Sequence, residues 1–200
     1  MGVSGCGKLT LMKMLLKLPD FVQDLSYVTR PMREWDIDGE EYRFISEEEF
    51  KAGIEKWEFL EYAWVHNNGY YGTKKTILNL LETWKIPIKE TEINGLKYII
   101  NSHQIPGRFF SIFMDISDEI IVKRITWRAP VTQEEIAQRL KDAAMEREEA
   151  KKYCDVIITV EWTPEENFQK VVDVLTEKNI ISNDSQQVAD EIIQKFGEKK

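Results

Sequence analysis

Apolar and polar positions along this chain alternate between helical spacing and short apolar runs. Residues 7–18 (GKLTLMKMLLKL) have helical periodicity and follow a Gly-rich turn. Short strands are predicted at 25–29 (LSYVT) and at EEYRF after the turn at Asp38-Gly39, with Pro31 ending the first. Ser46, with Glu49 at the capping-box position, starts a helix over 47–55. A strand over 57–66, a turn at Asn67-Asn68-Gly69, a helix over 73–83 and a strand over 86–92 follow. The pattern then gives a helix at 95–103, a strongly apolar strand at 108–115 (RFFSIFMD) and a helix at 118–128. A break at 129–132 precedes a long charged helix at 133–153 and a buried-strand candidate at 156–160 (VIITV). Two closing helices are predicted at 164–177 and 185–197, separated by Ser182-Asn183-Asp184. Strands alternating with helices predict an α/β domain with a parallel sheet. No internal repeat or linker interrupts the pattern.

Composition fits this picture. The 200 residues suit one domain, and 42% hydrophobic with 31% charged is ordinary for a globular chain. The net charge of −8 argues against nucleic acid or an anionic membrane as partner, though a local basic site can still bind a small anion. Cys6 and Cys154 are far apart, which argues against a disulfide framework or zinc site and for a reducing cytoplasm. Residues 9–19 are apolar but carry Lys13 and Lys17, so they read as an amphipathic helix rather than a signal peptide. No apolar run reaches the roughly 18 residues of a spanning helix. Position 6 is Cys, not the Ser or Thr of a myristoylation signal.

Candidate chemistry begins at the N-terminus. Gly2, Val3, Ser4, Gly5, Cys6, Gly7 and Lys8 match the phosphate loop GxxxxGK. The glycines let backbone N–H groups turn toward a phosphate, and the following helix adds its positive end. Lys8 supplies a point charge for the β and γ phosphates. Leu9 stands where a Ser or Thr would hold Mg²⁺, and Thr10 points elsewhere on the helix. Only Met1 precedes the loop, where a buried strand is expected.

Further segments follow in order: Ser26 through Arg33 (SYVTRPMR), Asp38 through Phe44 (DGEEYRF), Phe59 through Ala63 (FLEYA), Asn68 through Thr73 (NGYYGT), Glu90 through Gly95 (ETEING), and Arg124 through Arg128 to Arg139-Leu140. This ordered set, from residue 2 to about 175, resembles guanylate kinase. The resemblance implies a three-layer α/β phosphate-loop kinase with a parallel core sheet. It carries a small GMP-binding insert at about 27–83 and a helical lid at about 122–150, within a domain over 1–178 that is followed by a helical extension over 179–200.

The resemblance also implies roles. Arg30, Arg33, Tyr42 and Tyr71 match positions that hold the GMP phosphate, and guanidinium forks and phenol hydroxyls suit its oxygens. Glu61 matches the carboxylate that accepts from guanine N1–H and the 2-amino group. Ser26 and Thr73 match hydroxyl positions near the base, and Glu92 a second base-side carboxylate. Adenine presents the wrong donor and acceptor order to Glu61. Glu90 is the candidate to orient Mg²⁺, and residues 2–10 would bind ATP. Arg124, Arg128 and Arg139 match lid arginines that fold over donor phosphates. Trp127 and Ala129-Pro130 stand where the family favours Gly, which predicts a stiffer hinge. Thr159-Val160-Glu161-Trp162 replaces the family's Asn-Asp step, so adenine contacts are left unassigned. His66 and His103 read as structural, and Cys6 as filling a small-residue slot.

The reaction implied is ATP + GMP to ADP + GDP with Mg²⁺, by a cytoplasmic monomer or homodimer of purine nucleotide metabolism. Two alternatives stand beside it: a guanylate-kinase-like binding module that has lost catalysis, motivated by Leu9 and the short N-terminus, and a kinase for another small phosphorylated acceptor. The expected first core strand is missing. The strands at 86–92 and 108–115 are then expected to have bare inner edges, and the natural chain to begin several apolar residues upstream.

Overall fold

The computed structural model of the chain describes residues 1–197 except 35, 41, 66–68, 106–108, 129–130 and 161–162. Its elements run α1 (Lys8–Leu15), β1 (Phe21–Gln23), β2 (Ser26–Val28), β3 (Tyr42–Phe44), α2 (Glu47–Glu55), β4 (Phe59–Val65), β5 (Gly69–Lys74), α3 (Ile77–Leu81), β6 (Ile86–Ile88), α4 (Ile93–Ser102), β7 (Ile112–Asp115), α5 (Asp118–Arg128), α6 (Gln133–Tyr153), β8 (Val156–Thr159), α7 (Pro164–Glu177) and α8 (Asn183–Gly197). They form two compact units, one of Met1–Asp20 with Phe109–Lys200 and one of Phe21–Arg108.

In the first unit β7 and β8 pair in parallel, Ile112 opposite Val156 through Asp115 opposite Thr159. The segment before α1 runs along β7: Met114 N–H donates to Met1 O at 3.0 Å and Val3 N–H donates to Met114 O at 3.2 Å. The edge of the 108–115 strand, expected to be bare, therefore has backbone partners at Met114. Gly2 and Met114 form an isolated parallel bridge, in which Met114 bonds the residues on either side of Gly2. Helix α7 turns Phe168, Val171, Val172 and Leu175 inward at helical spacing. It packs on α1, whose Leu11, Met12, Met14 and Leu15 are buried.

Helix α8 covers another part of α7. It is fastened from its first turn: the Asp20 carboxylate accepts from Ser182 N–H at 2.6 Å and Ser182 Oγ at 2.9 Å, while Asp20 N–H donates to the buried Ser185 Oγ at 3.2 Å. Burial pushes the Asp20 carboxyl upward, but these bonds outweigh it and hold it below the ordinary value. The C-terminal extension is thus docked on the first unit.

In the second unit β1 and β6 pair in parallel, and β3-β2-β5-β4 form a four-stranded sheet. Phe50 of α2 stacks on Phe59 at 4.2 Å and on Tyr70 at 5.2 Å between ring centres. Leu60, Ile77 and Ile99 make a second apolar cluster. Helix α2 forms where its capping box predicts, with Ser46 Oγ accepting from Glu49 N–H at 3.1 Å and Glu49 answering Ser46 N–H at 2.9 Å.

Several predicted elements differ, the strand expected over 108–115 among them, which is Ile112–Asp115. The helix expected over 73–83 shrinks to Ile77–Leu81, because Gly69–Lys74 extends as β5 against β4. Tyr70, Tyr71 and Thr73 suit a pleated surface, and cross-strand pairing overrides the local helical reading. Phe21–Gln23, unassigned in the sequence, is a strand because β6 offers it a partner. The strand expected over 86–92 stops at Ile88, and α4 starts at Ile93.

Candidate nucleotide sites

The loop before α1 is shaped by two left-handed glycines, Gly5 (φ 81°) and Gly7 (φ 90°), a region that other residues enter only under strain. Gly7 is the N-cap, so the loop runs directly into the positive end of α1. Lys8 Nζ folds back over this loop, donating to Gly2 O at 2.8 Å and Val3 O at 3.3 Å, with Cys6 Sγ at 3.9 Å. Cys6 is fully buried, and a Cβ on Gly2 would come within 2.8 Å of its Sγ. Leu9 is half-buried and Thr10 exposed.

Two of the three expected lid arginines reach this loop. Arg124 of α5 donates to Gly5 O at 2.6 Å, and Arg139 of α6 donates to Ser4 Oγ at 3.1 Å. Helix α6 is aimed by its own capping box at Thr132 and Glu135. It is also anchored by Arg147, which bonds Asp115 at 2.8 Å, Asp118 at 2.7 Å and Ile116 O at 2.6 Å. The sequence reading did not single out Arg147. The Arg128 side chain, residues 129–130, His66, the turn at 67–68 and residues 161–162 lie outside the described residues.

In the second unit the expected GMP residues fall into two clusters. At one, Arg30 is buried and forks onto Asp36, Nη1 at 2.5 Å and Nη2 at 3.2 Å. The Asp36 fork holds Arg30 above its usual value, and Arg30 holds the Asp36 carboxyl below its own. The guanidinium also lies 5.3 Å from the centre of the Tyr42 ring, which meets Tyr71 edge-on at 6.0 Å. Arg33 is exposed, and its backbone N–H donates to Asp36 at 2.7 Å. Asp36 is a residue the sequence reading missed. An acid six positions after an arginine was the available signal, but only the loop's curl brings them together.

At the other cluster Glu61 and Thr73 stand opposite each other in the β4–β5 ladder, and the buried Thr73 hydroxyl donates to Glu61 Oε1. A Cβ on Gly95 of α4 would come within 2.4 Å of Thr91 Oγ1 and 3.6 Å of Glu61 Oε2. Glycine thus makes room for the Thr91 hydroxyl just ahead of α4, while the approach to Glu61 would be ordinary contact. Ser26 lies on β2, and Glu92 is the exposed N-cap residue of α4. Lys89, unremarked in the sequence, inserts its ammonium among Asp24, Ser26, Thr73 and Glu61. His103 caps the end of α4 in a left-handed conformation (φ 52°), a structural position.

A family model described as guanylate kinase matches residues 1–178. The chain belongs to the guanylate kinase family. The guanylate kinase of Helicobacter pylori (strain ATCC 700392 / 26695) is 42% identical over 147 residues, spanning 72% of this chain and 70% of that protein. That of Clostridioides difficile (strain 630) is 38% identical over 153 residues, spanning 76% and 74%. A crystal structure of guanylate kinase from Anaplasma phagocytophilum shares the fold, with a TM-score of 0.67 at 23% identity over 87% of this chain and 83% of that one. A mixed α/β chain with parallel strand pairs and a phosphate loop is consistent with the phosphate-loop kinase fold of that structure.

Among the described residues no three His, Cys, Asp or Glu side chains gather into a metal cluster. Mg²⁺ in kinase sites is generally held by substrate phosphates and water with one or two protein carboxylates. Glu90, in the loop after β6, has the oxygen chemistry for that part, and Leu9 brings no hydroxyl. No helix among the described residues is long and apolar enough to cross a membrane.

Proposed function

We propose that this chain transfers the γ-phosphate of ATP to GMP, the first unit holding the donor and the second the acceptor. The single observation that carries this is the acceptor geometry. Tyr42 and Tyr71, with Arg30 beside Tyr42 from the loop after β2, and a buried Glu61–Thr73 pair sit on one small sheet, which suits a phosphate end and a base end.

Lys8 exchanges loop carbonyls for donor phosphate oxygens, and the turned-in N–H groups of residues 2–10 complete that cradle. Arg124 and Arg139, already at the loop, neutralise charge on the donor phosphates, with Arg128 as the third candidate. Arg30, Arg33, Tyr42 and Tyr71 hold the GMP phosphate. Its oxygen needs alignment and no protein base, because the transition state of phosphoryl transfer is met mostly by positioning and charge. Glu61 reads guanine N1–H and the 2-amino group, with Ser26, Thr73 and Glu92 around the base. Mg²⁺, when bound, would neutralise charge on the donor phosphates, with Glu90 as the candidate protein carboxylate. The reducing cytoplasm is the compartment this reading assigns, supported by two free cysteines.

A coupled assay with Mg-ATP and GMP, AMP, dGMP or UMP tests the reading. GMP is expected to be the preferred ribonucleotide. GMP binding of ordinary affinity without turnover would favour a binding module.

A further inference from the structure

We propose that Lys89 is a positioning residue of the acceptor site: without touching the base, it fixes through Thr73 how the Glu61 carboxylate is presented. This deepens the GMP reading above and rests on it. Lys89 follows β6, and its side chain is only 11% exposed. Its ammonium donates to Asp24 Oδ2 at 3.4 Å, to Ser26 Oγ at 3.2 Å and to Thr73 Oγ1. It lies 3.9 Å from Glu61 Oε1.

The ammonium's three protons are all taken, by Asp24, Ser26 and Thr73, so Lys89 acts on the protein and not on a ligand. Thr73 has a single hydroxyl proton. Its oxygen accepts from Lys89, and an ammonium cannot accept in return, so that proton goes to Glu61 Oε1. The relay from Lys89 through Thr73 to Glu61 therefore runs in one direction only. A threonine without Lys89 could turn its hydroxyl elsewhere. Here Glu61 Oε1 is held on the Thr73 side. Oε2 lies on the side of α4, where a Cβ on Gly95 would come within 3.6 Å of it.

Charge acts in the same sense. Asp24 and Glu61 are both buried carboxylates, and both face this one cation. Burial pushes the Asp24 carboxyl upward, Lys89 opposes that and Glu61 adds to it. Without the ammonium the two acids would repel each other, and the Thr73 hydroxyl would lose the donor that aims it. A carboxylate free to turn loses the alignment that paired donors on a base require. The contribution of Lys89 then falls on GMP binding rather than on the phosphoryl step.

Steady-state kinetics of Lys89→Met, alone and in a Glu61→Gln background, test this. In Lys89→Met the KM for GMP should rise about tenfold, the weight of one hydrogen bond to a charged group, while kcat and the KM for ATP stay within about threefold of wild type. In the Glu61→Gln background the same substitution should change kcat/KM for GMP by less than about threefold, because the carboxylate it positions is gone. If Lys89 only supports the fold, Lys89→Met weakens both nucleotides and kcat together, or costs the same factor in both backgrounds. Either result, or an unchanged KM for GMP, overturns the inference alone. Should Lys89→Met not fold, Lys89→Met with Asp24→Asn, which removes one orphaned acid, is compared with Asp24→Asn by the same criteria. A wild-type chain that turns over no GMP sinks the function reading and this inference with it.

Discussion

Arg30 and Asp36 form a buried two-pronged ion pair, with side chains each 3% exposed, beside the rings of Tyr42 and Phe44. The pair does two things. It satisfies a guanidinium that could not be buried alone, and it fixes that guanidinium beside the Tyr42–Tyr71 pair. Replacing Asp36 by Ala should destabilise the chain by about 3–5 kcal/mol, the usual cost of orphaning a buried charge. Urea unfolding measures this, and a change below about 1 kcal/mol would mean that water reaches Arg30.

Acid should weaken the same pair. Arg30 holds the Asp36 carboxyl below 3.8, so its folded value lies under its unfolded one. The stability it brings is present above about pH 4 and is lost as pH falls through the folded value. Wild type should therefore lose more stability than Asp36→Asn between pH 5 and pH 3, as read by urea midpoints at each pH. Equal losses would place the acid sensitivity elsewhere.

At the base end, Glu61→Gln keeps the shape but replaces an acceptor-only carboxylate with an amide. The expected loss in kcat/KM for GMP is about 10²-fold, with ATP affinity within about threefold of wild type. Steady-state kinetics with each nucleotide varied decides this. Equal loss for both nucleotides would show a folding defect rather than base reading.

Arg124→Ala and Arg139→Ala remove charge from the phosphate loop. Each should lower kcat by about 10²-fold or more, with the KM for GMP nearly unchanged. A rise in the GMP KM with normal kcat would move these arginines out of the donor site.

Much of this was legible in the sequence because its signals are local. The turn at Asp38-Gly39, the capping box at Ser46 and Glu49, and the glycines before Lys8 each act within a few residues. What escaped was non-local. Strand β5 exists because β4 pairs with it, and β1 because β6 does. Lys89 looks like any surface lysine until four separate segments bring Asp24 and Ser26, Glu61, Thr73 and its own loop together. Asp36 gains meaning only once Arg30 is seen to be buried.

The central claim is that the loop and the acceptor clusters together make a working GMP kinase despite Leu9. Coupled ADP production with Mg-ATP and GMP, in wild type and in Lys8→Ala, tests it most directly. GMP-dependent turnover in wild type that falls by about 10²-fold or more in Lys8→Ala is the expected result. No GMP-dependent ADP from a folded wild-type chain, or turnover that survives the loss of Lys8, would contradict it.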